Sequence, residues 1–179
     1  MEVLFKTVHG SRLYGLAHAG SDEDFYTVVS KVKTARAKYA KQSIVDGVDS
    51  VVVDFGTWLY QCEAGVPQAL EAMFSYMQIG EDKLKDFRRG FRAGTQTWER
   101  YLRTIKSFAL DEDNNYKKKR HALRLAWNLN ELAKYGRFNP TLSEYDIKNI
   151  NSLALLPPED VYETALWAAW GGVDKLQPV

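Results

Sequence analysis

The chain has 179 residues, 45% of them hydrophobic and 26% charged; these are ordinary values for a folded globular protein and exclude a mostly disordered one. That length holds one compact fold with an appended helical lobe, and leaves no room for a templated polymerase with separate finger, palm and thumb modules. The 24 basic and 23 acidic residues give a net charge of +1, so any contact with nucleic acid must come from a local patch.

The first third reads as mixed strand and helix. Glu2 to Val8 has the β-branched and aromatic content of a short strand. It stops at His9-Gly10-Ser11, where Ser11 is placed to cap a short helical stretch, RLYGLA. His18 to Ser21 is turn chemistry, and Asp24 to Ser30 reads as a second strand. Lys31 to Asp49 lacks a period and is expected to form an irregular hairpin. Ser50 to Phe55 is a further strand, nearly all valine until Asp54.

Beyond Asp54 the pattern is helical. Helices are expected over Gly56 to Ala64, from Pro67 through PQALEAMFSYM, over Asp82 to Arg89 and over Gln96 to Leu110. A longer one runs from Tyr116 to Tyr135, with Gly136 as its stop. Two more follow over Ser143 to Asn151 and Pro158 to Trp170. The expected fold class is α+β, with a sheet-bearing core over 1–78 and a helical lobe over 79–179. The single cysteine, Cys62, excludes an internal disulfide and a Cys-rich zinc site and reads as a small core residue. The start of the chain has no apolar stretch of signal-peptide length, and no run nears the ~20 apolar residues of a membrane span. The expectation is a soluble cytoplasmic protein with no membrane partner.

The chemistry gathers in the first third. In a strand, alternate side chains share a face, so Asp22 and Asp24 are expected on one side and Glu23 on the other. Two carboxylates on one face repel unless a cation lies between them, and Mg²⁺ suits the arrangement because it is held by carboxylates together with substrate phosphates. Asp54, at the end of a strand expected to lie alongside, would complete a three-carboxylate, two-metal site. Gly10-Ser11 supplies a turn where backbone N–H groups can meet a phosphate. A lone Gly-Ser or Asp-x-Asp is a weak signal; strand, Gly-Ser turn, helix and Asp-x-Asp strand in that order are far more specific.

The segment GSRLYGLAHAGSDEDFYTVV resembles the signature of the predicted nucleotidyltransferases of the DNA polymerase β superfamily. It is most similar to a bacterial and phage branch in which some members are encoded beside RNA ligases. The resemblance continues through Asp54 in VVVDF, through Gly65, Pro67 and Glu71 in GVPQALEAMFS, and through Lys117, His121 and Arg124 in KKKRHALRL. Val66 stands where that branch has Asn. The match runs in order from about residue 5 to 137. It implies a minimal polymerase-β-like palm that moves an NMP from an NTP to an acceptor hydroxyl with Mg²⁺ or Mn²⁺ and releases pyrophosphate. Carried over by position, Asp22 and Asp24 bind both ions, and Asp54 binds the catalytic ion and orients the acceptor hydroxyl. Gly10 and Ser11 hold the β- and γ-phosphates, and Ser21 joins the nucleotide-binding set.

On the long helix, Ala122, Leu125, Ala126, Leu129, Leu132 and Ala133 form an apolar stripe, with Lys117, His121, Arg124, Asn128 and Glu131 on an adjacent strip. Periodicity alone describes a solvated face there; the resemblance gives Lys117 and Arg124 to the triphosphate and His121 to phosphate or base. Between 83 and 106, eight cations (Lys83, Lys85, Arg88, Arg89, Arg92, Arg100, Arg103, Lys106) stand against Asp86 and Glu99, with Phe87, Phe91, Trp98 and Tyr101 between them. These helices read either as an RNA-contacting surface or as amphipathic helices with solvated charges. His9 and His18 flank the Gly-Ser turn and read as polar loop residues within reach of a phosphate. The first-choice acceptor is an RNA or tRNA 3′ end. A protein hydroxyl, a small molecule, or a non-catalytic RNA- or partner-binding module with a vestigial acidic site are the competing readings. The nucleotide and the oligomeric state are not legible.

Overall fold

The computed structural model describes residues 1–30 and 40–171. It divides into two compact units, Met1–Phe91 and Arg92–Val179. Among the described residues no helix is long and apolar enough to cross a membrane.

The first unit is built on a four-stranded mixed sheet, β1 (Val3–His9), β2 (Glu23–Val29), β3 (Ala40–Val45) and β4 (Val48–Asp54), in the order β1-β2-β4-β3. β2 and β4 run parallel; the outer pairs are antiparallel. The β3–β4 hairpin turns on Asp46-Gly47, both with positive φ (51° and 76°), the type I′ pattern that Asp-Gly favours because it matches strand twist. Of the irregular hairpin expected over 31–49, residues 40–49 fall within this regular one, and 31–39 lie outside the described residues. A five-residue helix, α1 (Gly10–Tyr14), links β1 to β2.

Strand alternation puts Phe5, Tyr26, Val28 and Val53 on one face, all essentially inaccessible to solvent. Two helices, α2 (Phe55–Glu63) and α3 (Pro67–Phe74), cover it. Trp58 of α2 stacks on Phe5 at 6.3 Å and donates its indole N–H to the Ala69 carbonyl of α3, 3.2 Å away. Cys62 packs beside it, with its thiol pKa raised by burial, the core role expected for it. The opposite face, with Lys6, Val8, Phe25 and Val52, stays half-exposed.

The unit does not end at residue 78. Residues 77–83 run along the free edge of β1, with Val8 donating to Met77, Ile79 to Lys6 and Lys83 to Leu4, which covers an otherwise unpaired strand edge. α4 (Lys85–Gly90) then returns Arg88 to the core. Its guanidinium lies over the Phe5 ring at 3.7 Å, donates to the Met73, Ala72 and Ser75 carbonyls and pairs with buried Asp82. Phe87 and Phe91 pack on Phe55 and Phe74. Arg88 is thus a strut of the first unit, and the boundary moves from 78/79 to 91/92.

The second unit is helical: α5 (Gln96–Ala109), α6 (Tyr116–Tyr135), α7 (Glu144–Leu153) and α8 (Pro158–Ala169). α6 has the bounds expected of it. Asn115 caps its start, accepting from the Lys118 N–H at 3.1 Å, and Gly136 ends it with φ of 67°. α5, α7 and α8 all pack on α6, so its buried residues reach well beyond one stripe and include Leu123, Trp127, Lys119, Arg124 and Asn128. Ala133, expected in the stripe, is exposed.

Breaking a buried ion pair by removing one partner typically costs about 3–5 kcal/mol. Arg88→Met is expected to lower unfolding stability by about 3 kcal/mol in urea titration; a change below about 1 kcal/mol would contradict the role assigned to this side chain.

Candidate active site

The ends of β1, β2 and β4 that meet at α1 carry the candidate chemistry. His9 closes β1 directly opposite Asp24 of β2, and Gly10 follows with φ of +64°. A Cβ on Gly10 would lie 1.9 Å from Asp24 Oδ2, so the residue must be glycine twice over, for backbone conformation and for the carboxylate against its Cα. α1 starts at Gly10, so Ser11 lies inside its first turn and is not the cap. His9 occupies the N-cap position without a side-chain cap bond.

The register fixes which carboxylates are neighbours on the sheet. Asp24 pairs with Asp49 across the parallel β2–β4 ladder, whereas Asp54 pairs with Val29 at the opposite end. Five residues of strand at ~3.3 Å each put Asp54 about 16 Å along the sheet from Asp49, on the other face. Asp54 is occupied as the N-cap of α2: Oδ1 accepts from the Thr57 N–H at 3.2 Å and Oδ2 from the Thr57 hydroxyl at 2.5 Å. It does not join Asp24, contrary to the expectation. Asp49 does: its Oδ2 accepts from Gln42 Nε2 at 2.8 Å, and its Oδ1 is buried without a hydrogen-bond partner. A buried, unsatisfied carboxylate oxygen is costly and asks for a proton or a cation.

Asp22 lies just before β2 and is exposed. It sits at the rim by the β3–β4 turn, where a Cβ on Gly47 would be 3.7 Å from its Oδ1. Arg12 holds this approach by donating to the carbonyls of Ser21 and Asp22. The Ser21 hydroxyl accepts from the His18 N–H at 2.9 Å, and His18 Nδ1 accepts from the Gly20 N–H, so both side chains close the turn. Among the described residues no three His, Cys, Asp or Glu side chains are gathered to hold a metal ion. Asp24 and Asp49, register partners on one face with one orphaned oxygen, are oxygen donors of the kind that suits a single Mg²⁺ or Mn²⁺.

Behind the pair, His9 is only 7% exposed. Its Nε2 is 3.5 Å from the Oε2 of buried Glu71 on α3, and its ring packs against Tyr26 at 5.8 Å. This is a buried tie between α3 and the turn, not a loop histidine. Val66 stands at the N-cap of α3 and provides no capping bond; Pro67 follows in the first turn.

In the second unit, Lys117 is exposed, His121 half-buried and Arg124 5% exposed. His121 packs on Phe108 at 6.0 Å. Burial first, and then the charges of Arg124, Lys117 and Arg120, pull its pKa from 6.5 down to about 3, so it is a neutral imidazole near pH 7. The strip is therefore not a solvated face: a cation and the Asn128 amide are buried in it, and Asn128 Nδ2 has no hydrogen-bond partner.

Asp49 was missed because the valine run drew the start of the strand to Ser50. The available signal was Asp46-Gly47, an Asp-Gly turn that starts the strand at Val48 and brings Asp49 into it.

A family model described as the RNA repair pathway DNA polymerase beta family matches residues 1–159. Among solved structures the chain is similar to a nucleotidyltransferase-like protein from Exiguobacterium sibiricum 255-15, with 16% identity over 95% of this chain and 67% of that one and a TM-score of 0.36. No curated protein matches it.

With its pKa depressed, His121 favours the folded state fully above pH 6.5, and that contribution is lost as pH falls towards 3. An NMR titration is expected to show its ring resonances flat from pH 8 down to about 4. A midpoint near 6.5 would contradict the environment described.

Proposed function

The chain belongs to the RNA repair pathway DNA polymerase beta family, a nucleotidyltransferase family of the polymerase β superfamily, and on that premise we propose that it moves an NMP from an NTP to the 3′ hydroxyl of an RNA. The observation that carries the reading is the meeting of Gly10, Asp24 and Asp49 at one end of the sheet.

In this reading Asp24 and Asp49 hold Mg²⁺ or Mn²⁺, and the role the resemblance gave Asp54 passes to Asp49. A bound ion there supplies charge neutralisation at the phosphates. Gly10 and Ser11, in the same turn, would offer backbone N–H groups to the β- and γ-phosphates. The acceptor oxygen attacks the α-phosphorus as the bond to the bridging oxygen breaks and pyrophosphate leaves. Asp49 Oδ1 takes the hydroxyl proton. Catalysis is then positioning plus neutralisation, as phosphoryl transfer requires. Asp22, at the rim, is the third acidic group of this reading.

RNA as acceptor draws on the family's description and on the cations of 83–106, with the structure narrowing the latter. Arg88 is internal and Lys83 is paired with Glu2 at 2.6 Å and Glu81 at 3.8 Å. Arg100, Arg103 and Lys106 of α5 stay exposed, as do Lys85, Arg89 and Arg92.

The test incubates each α-labelled NTP with protein, Mg²⁺ or Mn²⁺ and cell lysate, then splits the products by RNase or protease. RNase-sensitive label from wild type, absent with Asp24→Ala, is the expected result. Protease-sensitive label would replace RNA by a protein acceptor. No label from any NTP, with the fold intact, would overturn the transferase reading.

A further inference from the structure

Three helix ends meet at one end of the second unit. Ala93, leading into α5, donates to the Gly136 carbonyl at the end of α6, and the Arg92 side chain lies against Gly136, 3.1 Å from where its Cβ would be. Asn130 of α6 donates to the Ala168 and Ala169 carbonyls at the end of α8. Trp170, just past α8, meets Trp98 of α5 edge-to-face at 5.0 Å.

This end is unusual in what it shows to solvent. Trp170 is 69% exposed and Trp167, one turn back on α8, 40%. Large apolar rings left in water together on one surface are the kind of patch that marks an interaction site. Its charge is one-sided. Over residues 92–98, 130–137 and 166–171, Arg92, Lys134 and Arg137 stand against one carboxylate, Glu131, which accepts from the Asn139 N–H at 2.7 Å. Glu99, one residue further into α5, is the nearest other acid in the sequence. Lys134 is one turn beyond Asn130, on the side of α6 that faces the end of α8.

We infer that this end of the helical unit is a docking surface for single-stranded RNA, with Trp170 and Trp167 as stacking platforms, Trp98 bracing Trp170 edge-on, and Arg92, Lys134 and Arg137 meeting the backbone phosphates. Unstacked bases offer π-faces that match exposed indoles, and cations on the same end of the unit suit the phosphates that link them. A duplex keeps its bases stacked on one another and has nothing to give the tryptophans. An uncharged apolar protein partner would use the indoles but not the excess positive charge. The inference rests on the reading of RNA as the acceptor and adds where it is held.

The experiment uses the full chain without NTP or metal and a fluorescein-labelled 12-nucleotide RNA of mixed sequence, read by anisotropy. Wild type is expected to bind the single strand more tightly than the duplex of the same sequence, with affinity falling as salt rises. Trp170→Ala should weaken binding at least about tenfold, and Trp170→Phe should largely retain it. Because Trp170 is mostly exposed, its loss should leave the circular dichroism and unfolding midpoint unchanged; Lys134→Glu tests the phosphate contact independently. Equal affinity of wild type, Trp170→Ala and Lys134→Glu, or a preference for duplex, would overturn the inference. So would conversion of a wild-type dimer to monomer by Trp170→Ala without loss of RNA binding, which would make the patch a self-interface. The two readings fail separately. RNA binding that depends on Trp170, without label transfer to any RNA, sinks the acceptor reading alone; label transfer to RNA that Trp170→Ala leaves unchanged, with binding unchanged, sinks the docking surface alone.

Discussion

The parallel pairing of β2 with β4 is the constraint on which the candidate site depends. A one-residue slip in that ladder would turn every β4 side chain to the other face and part Asp49 from Asp24. Two local features hold the register. The Asp46-Gly47 turn sets where β4 begins, and the Glu23 N–H donates to the Gly47 carbonyl at 3.2 Å, pinning the start of β2 to that turn. The apolar face of Tyr26, Val28 and Val53 under α2 and α3 supplies the free energy that makes the slip costly. The site is thus a consequence of core packing at its back and a two-residue turn at its edge.

Much of the fold was legible because its signals are local. The period of α6, its Gly136 stop and the Pro67 helix start are written in neighbouring residues, and they appear where expected. Gly10 was legible as a turn glycine, although the Asp24 carboxylate set against it is a tertiary fact. Register is not local. Asp49 and Asp54 bracket the same valine run, and composition offers no reason to prefer one; only the partner strand decides, and it decides for Asp49. The same holds for charge. Arg88 and Arg100 look alike in a basic stretch, yet one lies over Phe5 inside the first unit and the other faces water. His9, beside a turn in the sequence, is the end of a strand and is tied to Glu71 from sixty residues away.

The helical unit shows the same division. Its apolar stripe on α6 was visible, but three packed neighbours bury more of that helix than one stripe, and they leave Arg124, Asn128 and a neutral His121 together in one strip. An unsatisfied Asn128 amide is expensive to keep buried.

The most direct test of the account compares two single substitutions by Mn²⁺ titration followed by electron paramagnetic resonance, with thermal unfolding in parallel. Asp49→Asn is predicted to weaken Mn²⁺ binding at least about tenfold with little change in the unfolding midpoint, because it replaces the charged carboxylate whose Oδ1 has no hydrogen-bond partner. Asp54→Asn is predicted to keep Mn²⁺ affinity and at most lower the midpoint slightly through the α2 cap. Loss of Mn²⁺ binding in Asp54→Asn with full binding in Asp49→Asn would contradict the register and the site built upon it.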